Sequence, residues 1–173
     1  MTRAVLSIGS NLGDRLARLQ SVVDRLSHSV TAVSPVYETA PWGGVDQGPF
    51  LNAVVIADDP AMDCRGWLRV GQELERAAER VRGSRWGPRT LDVDVISCTA
   101  GGTELVVREP DLTLPHPLAH LRAFVLVPWL AVEPAARLTV GDVRQPLTRL
   151  LADLDAADRD GVQATDLALR SEV

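Results

Sequence analysis

RWGPRTLDVDVI, residues 85–96, decides how the rest of the chain is read. Asp92 and Asp94 lie two residues apart inside an apolar run of Leu91, Val93, Val95 and Ile96. A strand turns residues i and i+2 to one face, so both carboxylates point the same way, with Val93, Val95 and Ile96 facing or extending the core. Side by side, two carboxylates raise each other's pKa unless a cation lies between them. Arg85 and Arg89 precede them, the second after a Trp-Gly-Pro turn signal, and guanidinium groups suit phosphate oxygens. Paired carboxylates, a divalent metal and an anionic ligand together point to phosphoryl transfer.

Upstream of this strand the pattern is helical. Trp67, Val70, Leu74, Ala77 or Ala78, and Val81 form a stripe. Pro60 starts that helix or sits just ahead of it. Gln72 and Glu75 lie off the stripe and read as a solvated face. The helix runs out into Arg80, Arg82, Arg85 and Arg89, with no acid among them. A helix dipole favours Arg80 and Arg82 at its C-terminus but does not account for Arg89. An anion-binding loop accounts for all four, and Gly83-Ser84 suit a lid.

Earlier in the chain, Ala4–Ile8 reads as a short buried strand that runs into GSNLGD, residues 9–14. Leu16, Leu19, Val23 and Leu26 predict a helix over about 13–27. The loop's Gly and Asn fit either a phosphate loop or an ordinary strand-to-helix turn. Val30–Glu38 predicts a second strand with an edge or bulge at Pro35. Thr39–Pro49 is a loop, and Phe50–Ala57 a third strand. Trp42 in that loop is either an anchor on the core or a wall for a ring ligand. Asn52 sits among Phe50, Leu51, Ala53 and Val54, and a buried amide must find partners. Pattern alone favours a structural Asn, although its donor and acceptor also match a heterocyclic amide edge.

Downstream, Gly101-Gly102 marks a turn and Glu104–Arg108 a hairpin partner for the aspartate strand. Leu112–Pro117 is extended, because each proline restricts its predecessor. His116, held between two prolines, is rigidly placed, as a structural histidine or as a donor to phosphate. Leu121–Val127 predicts a short helix ended by Pro128. Pro146–Leu154 predicts a last helix burying Leu147, Leu150, Leu151 and Leu154. Residues after Asp155 are polar and acidic, as in a tail of low order. The chain thus reads as one domain over 1–155 and a tail over 156–173. The order strand, helix, strand, strand, helix, strand is that of a ferredoxin-like α+β fold. It has an antiparallel sheet with helices packed on it, and becomes a three-layer α/β/α sandwich once the C-terminal helices are counted. The aspartate strand is expected at its centre.

The 173 residues suffice for one full core, and 46% hydrophobic with 24% charged residues is ordinary globular composition. A net charge of −5 gives no reason to expect nucleic acid or an anionic membrane as partner. An RNA-binding sheet would need a basic face and exposed rings, and fits poorly with 2 Phe, 4 Trp and 1 Tyr. All 18 basic residues are arginine, which excludes Schiff-base and P-loop lysine chemistry. Cys64 and Cys98 lack metal-ligand spacing and read as small buried hydrophobes. With no apolar leader or membrane-length window, a cytoplasmic enzyme or binding domain is the expected class.

RWGPRTLDVDVI resembles the signature of the 6-hydroxymethyl-7,8-dihydropterin pyrophosphokinases. GSNLGD, FLNA at residues 50–53, and LPHP with RAFVLVP between Leu114 and Pro128 resemble the same family in the same order. The similarity runs from about Val5 to Leu154. It implies the ferredoxin-like fold and a reaction of folate biosynthesis: ATP donates pyrophosphate to the hydroxymethyl group of the dihydropterin, and AMP leaves. It also implies two magnesium ions; the chain is expected to work as a monomer, with no nucleic-acid or membrane partner. Asp92 and Asp94 would hold the metals, with Asp92 also at the pterin. Arg80 and Arg82 match mobile-loop arginines that reach the phosphates, and Arg89 an arginine fixed beside the metals; with the two aspartates these form the implied catalytic set. Gln72, Arg82, Trp86, Arg89, Val95, Thr113, His116 and Arg122 fall at ATP positions. Thr39, Ala40, Trp42, Phe50, Asn52, Asp92 and Phe124 fall at pterin positions. There Phe50 and Phe124 sandwich the bicycle and Asn52 reads its edge. Glu75 matches a helix carboxylate of supporting role. Three features depart from some members: the short, lysine-free Gly83-Ser84, Trp42 in place of an aliphatic residue, and Phe50 in place of Tyr. The rival enzyme class is another magnesium-dependent nucleotidyl or phosphoryl transferase on the same fold.

Overall fold

The computed structural model describes residues 1–41, 47–78 and 90–172. Strand β1 (Thr2–Ser10) runs through the middle of the main sheet. Ala4, Leu6 and Ile8 enter one hydrophobic cluster and Val5 the opposite one. A strand covered on both faces needs such a near-continuous apolar run. Helix α1 (Arg15–Leu26) starts at Asp14, whose carboxylate accepts the Ala17 amide at 3.0 Å, and it buries Leu19, Val22, Val23 and Leu26. The strand expected over 30–38 is two strands, β2 (Val30–Val33) and β3 (Tyr37–Thr39), with Pro35 between them. Proline cannot donate to a ladder, so pairing lapses there and resumes after it. Both pair antiparallel with β4 (Phe50–Asp59). Helix α2 (Cys64–Ala77) is capped by Asp63, and Pro60 lies ahead of it. Its buried residues are Cys64, Gly66, Trp67, Gly71 and Glu75, so Glu75 belongs to the core-facing side and not to a solvated face.

Strand β5 (Asp92–Ala100) returns antiparallel beside β1. The order β3-β4-β1-β5 is that of the ferredoxin-like fold. The aspartate strand is not central. One side of it follows β1, from Asp92 to Thr99. On the other side, among the described residues, strand pairing is limited to Thr99 and Ala100 with β6 (Thr103–Glu104). The turn at Gly101 and Gly102, with φ of 56° and 80°, makes a hairpin only two pairs long. The chain then leaves to form a separate hairpin of β7 (Val107–Glu109) and β8 (Leu112–Leu114). Asp92 and Asp94 therefore stand on an edge. A register shift opposite Val5 and Leu6 leaves Ile96 as an extra residue on β5. Val93, Val95 and Cys98 join the cluster under α1 and α2, while Ile96 joins the other.

That second cluster lies between the sheet and α3 (Ala123–Val132), which closes the three-layer sandwich. Helix α3 begins later than expected and carries Pro128 inside it instead of ending there. An interior proline costs about 3 kcal/mol. Burial of Val125, Leu126 and Trp129, at roughly 1.5–3 kcal/mol each, outweighs that loss. A hairpin of β9 (Arg137–Val140) and β10 (Val143–Pro146) leads into α4 (Leu147–Ala152), which buries Leu147 and Leu150. The segment expected as a low-order tail is built into the fold. It forms α5 (Ala156–Asp160) and β11 (Gln163–Ala164), and β11 pairs with Glu38 and Tyr37 of β3. Thr165 Oγ1 donates to the Val36 carbonyl at 2.7 Å, and Gln20 and Arg170 exchange two hydrogen bonds. Polar composition suits a segment that covers a sheet edge and faces water outside. Among the described residues no helix is long and apolar enough to cross a membrane.

Candidate active site

The site is assembled across the ends of three strands. Gly9 of β1 is in register with Asn52 of β4 on one side and with Asp92 of β5 on the other. A Cβ on Gly9 would stand 2.9 Å from Asn52 Oδ1 and 3.4 Å from Phe50 Cδ1. Glycine is required here for clearance. Asn52 is 4% exposed, and its Nδ2 donates to Thr39 Oγ1 at 2.6 Å. Thr39 is itself in register with Phe50. Three expected pterin residues, Thr39, Phe50 and Asn52, therefore meet at the end of β3 and β4, with Ala40 exposed just beyond. The amide satisfies its burial through another of these residues, and an Asn side chain has further donor and acceptor positions to offer.

Asp92 and Asp94 share one face of β5 and are partly exposed, while Val93 and Val95 are buried on the other face. Arg122, just ahead of α3 and 8% exposed, pairs with Asp94 Oδ2 at 3.3 Å. Its guanidinium carbon lies over the Phe124 ring, 5.6 Å from the centroid. His116 follows β8, and its amide donates to the Ile96 carbonyl at 2.8 Å, which fixes it beside β5. Its Nδ1 accepts the Leu118 amide at 3.2 Å. The neutral ring therefore carries its proton on Nε2 and can donate from there. Burial, then the positive charge of Arg122, lower the His116 pKa to about 4, against an opposing pull from Asp92. At neutral pH the ring is an uncharged donor within the field of both charged neighbours.

Helix α2 supports this face from below. Glu75 Oε1 accepts the Val93 amide at 2.9 Å. Gly71 lies so close that a Cβ there would approach Val93 Cγ1 to 3.1 Å. Hydrophobic periodicity missed Glu75; the spacing Cys64, Trp67, Gly71, Glu75, Ala78 would have found it. Gln72 is exposed on the same helix, and Thr113 is partly exposed on β8. Val95 is buried in the core, so only its main chain can meet a ligand. Trp42, Arg80, Arg82, Trp86 and Arg89 lie outside the described residues. The polar groups of GSNLGD tie segments together. Ser10 Oγ donates to the Thr90 carbonyl at 2.5 Å, and Asn11 Nδ2 to Gln47 Oε1 and the Gly48 carbonyl. Asp14 caps α1. These contacts match the strand-to-helix reading of the loop.

Among the described residues no group of three or more His, Cys, Asp or Glu could cage a metal. Two carboxylates on one face fit magnesium, which is commonly held by one or two carboxylates with substrate phosphates and water completing its shell. Paired carboxylates, a buried arginine and a neutral histidine donor, at the edge of a ferredoxin-like sheet, equip an enzyme for handling polyphosphate.

A family model described as 7,8-dihydro-6-hydroxymethylpterin-pyrophosphokinase (HPPK) matches residues 5–134. The 2-amino-4-hydroxy-6-hydroxymethyldihydropteridine pyrophosphokinase of Mycobacterium tuberculosis H37Rv is 64% identical over 168 residues, covering 94% of this chain and 89% of that protein. The Mycobacterium leprae protein of the same name is 62% identical over 176 residues, covering 98% and 92%. That of Aquifex aeolicus is 32% identical over 136 residues, covering 78% and 82%. The chain belongs to the HPPK family. A solved Plasmodium falciparum HPPK-DHPS with pteroate superposes with a TM-score of 0.61 at 13% identity, over 87% of this chain and 44% of that one. This chain spans less than half of that protein, and the likeness is one of fold.

Proposed function

We propose that this chain transfers pyrophosphate from ATP to the hydroxymethyl group of 6-hydroxymethyl-7,8-dihydropterin, releasing AMP, as a step of folate biosynthesis. The observation that carries the reading is the line Asn52, Gly9, Asp92 across three paired strands. Two strand spacings separate its ends, about 10 Å. That is the reach of a bicyclic ring with a one-carbon arm, its amide edge at Asn52 and its hydroxyl at Asp92. Thr39 and Asn52 then hold the edge of the ring. Phe50 and Phe124 cover its faces, with Ala40 beside it; Trp42 is assigned to the pterin on its sequence position alone.

Asp92 and Asp94 would hold two magnesium ions. Bound there, magnesium supplies neutralisation of phosphate charge and a common anchor for hydroxyl and polyphosphate. His116 donates from Nε2 to a phosphate oxygen, and Arg122 adds positive charge beside Asp94. Gln72, Thr113 and the main chain of Val95 complete the ATP seat. Arg80, Arg82 and Arg89 are assigned to the phosphates, and Trp86 to ATP, on their sequence positions alone. Phosphoryl chemistry asks little covalent work of a protein, so alignment and charge do most of it.

The test is incubation with ATP, magnesium and 6-hydroxymethyl-7,8-dihydropterin. Stoichiometric AMP and pterin pyrophosphate are expected. ADP in place of AMP would reassign the chain to a phosphoryl transferase.

A further inference from the structure

Two thiols in this protein touch each other and take no part in the site described above. Cys64 is the first residue of α2, and Cys98 lies on β5. Cys64 Sγ donates to Cys98 Sγ at 2.9 Å. They are the chain's 2 cysteines, and both are free thiols. We propose that Cys64 and Cys98 form a reversible oxidation site. A hydroperoxide oxidises Cys64, and Cys98 resolves the product to a disulfide that ties the start of α2 to β5.

The geometry gives each sulfur a different role. Cys64 is 9% exposed and Cys98 0%, so an oxidant from solvent meets Cys64 first. Burial pushes the Cys98 thiol up to about 12, with neighbouring Cys64 adding to the shift, so Cys98 is a poor first target. A disulfide needs its sulfurs at about 2.0 Å. The pair has under about 1 Å to close, within the reach of small side-chain rotations. Both helix and strand are already packed together through Gly71 and Val93.

Two electrons pass from the thiols to the peroxide. The Cys64 sulfur attacks the peroxide, the O–O bond breaks, Cys64 keeps one oxygen as a sulfenic acid, and the other leaves as water or an alcohol. The Cys98 sulfur then attacks the Cys64 sulfur. The S–S bond forms, the S–O bond breaks, and the hydroxyl leaves as water with the Cys98 proton. Two external thiols return the two electrons: the first attacks the bridge to form a mixed disulfide, the second releases it, and the pair leaves as its own disulfide with both protein thiols reprotonated.

The bridge lies away from the catalytic face. Cys98 is four residues beyond Asp94, about 13 Å along a strand. Cys64 is eleven residues from Glu75, about 16 Å along a helix. Oxidation therefore leaves turnover intact. It closes the loop over residues 64–98 in the unfolded chain, which raises the melting temperature by about 5–10 °C. It also spares Cys64 from irreversible oxidation.

The experiment treats the full, pre-reduced chain with hydrogen peroxide, unfolds it, alkylates free thiols and measures the mass. Wild type is expected to lose the mass of two hydrogens, to resist alkylation and to yield one cross-linked peptide pair. A thiol reductant should reverse all three, and the oxidised protein should melt higher. In Cys98→Ser, Cys64 should proceed to sulfinic and sulfonic acid at the same peroxide dose. In Cys64→Ser, Cys98 should stay alkylatable. The proposal is overturned if both wild-type thiols stay alkylatable, if Cys64 overoxidises equally fast in wild type and Cys98→Ser, or if the bridge joins two chains.

Discussion

Glu75 of α2 accepts the main-chain amide of Val93, the residue between the two aspartates, at 2.9 Å. On that side of β5 no described strand pairs with Val93, so a carboxylate does the work of a strand neighbour. The bond holds the spine from which Asp92 and Asp94 project. Glu75→Ala would leave a buried amide unsatisfied, a cost of about 1–3 kcal/mol. It is also expected to slow AMP formation roughly tenfold, because misplacing reactive groups by a fraction of an ångström is expensive. Glu75→Gln keeps an acceptor oxygen and should retain most of both. Melting temperatures and magnesium-dependence curves for the two variants check this. An unchanged magnesium dependence in Glu75→Ala would confine the residue to stability.

The aspartates themselves should separate chemistry from fold. Asp92→Asn and Asp94→Asn are each expected to lower turnover at least about a hundredfold, since an amide is a weak partner for a hard cation. Neither should unfold the protein. Asp94→Asn should cost more stability, on the order of 1–2 kcal/mol, because Arg122 is buried against that carboxylate. Denaturant curves and single-turnover rates on both variants decide it. Near wild-type turnover in either would remove that residue from the metal site.

Much of this fold is legible in the sequence because both faces of the sheet are covered. Runs such as Ala4–Ile8 and Phe50–Ala57 are apolar for that reason, and the stripe of Leu16, Leu19, Val23 and Leu26 marks the helix between them. The i, i+2 spacing is enough by itself to put Asp92 and Asp94 on one face. What the sequence hides is tertiary. Nothing local says that β6 is too short to cover the aspartates. Nothing local says that Pro128 survives inside α3, where burial outweighs the lost ladder bond. The polar residues after Asp155 look like tail because the sheet edge they cover is far away in the chain. Gly9 reads as a turn residue, yet its φ is not in the left-handed region, and its reason is a neighbour on another strand, distant in sequence.

That reason makes a sharp variant. Gly9→Ala places a methyl group 2.9 Å from Asn52 Oδ1, closer than such carbons approach oxygen. Asn52 must turn or β1 must shift, and either disturbs its bond to Thr39. The expected result is a rise of about tenfold in the KM for the pterin. The KM for ATP should be nearly unchanged, and the chain should still fold. Kinetics with each substrate varied in turn measure the split. Equal rises in both constants would place the disturbance in the strands generally and not in the pterin seat.

His116 predicts a pH dependence of stability. Its folded pKa is about 4, lowered from 6.5 by burial and by Arg122. Above pH 6.5 the ring is neutral folded and unfolded, and contributes nothing to the slope. As pH falls below 6.5 the unfolded chain takes up a proton that the folded chain refuses, so stability is lost down to about pH 4 and no further. The full shift sets a ceiling of about 3 kcal/mol; partial solvent access brings the expected loss to on the order of 2 kcal/mol. His116→Gln removes the titration and retains an N–H donor. Denaturant unfolding of ligand-free protein between pH 7 and 4 should therefore show wild type falling more steeply than His116→Gln, with the two curves parallel above pH 6.5. Parallel curves throughout would mean that the folded ring titrates as in water, and would remove the burial and the Arg122 field as influences on it.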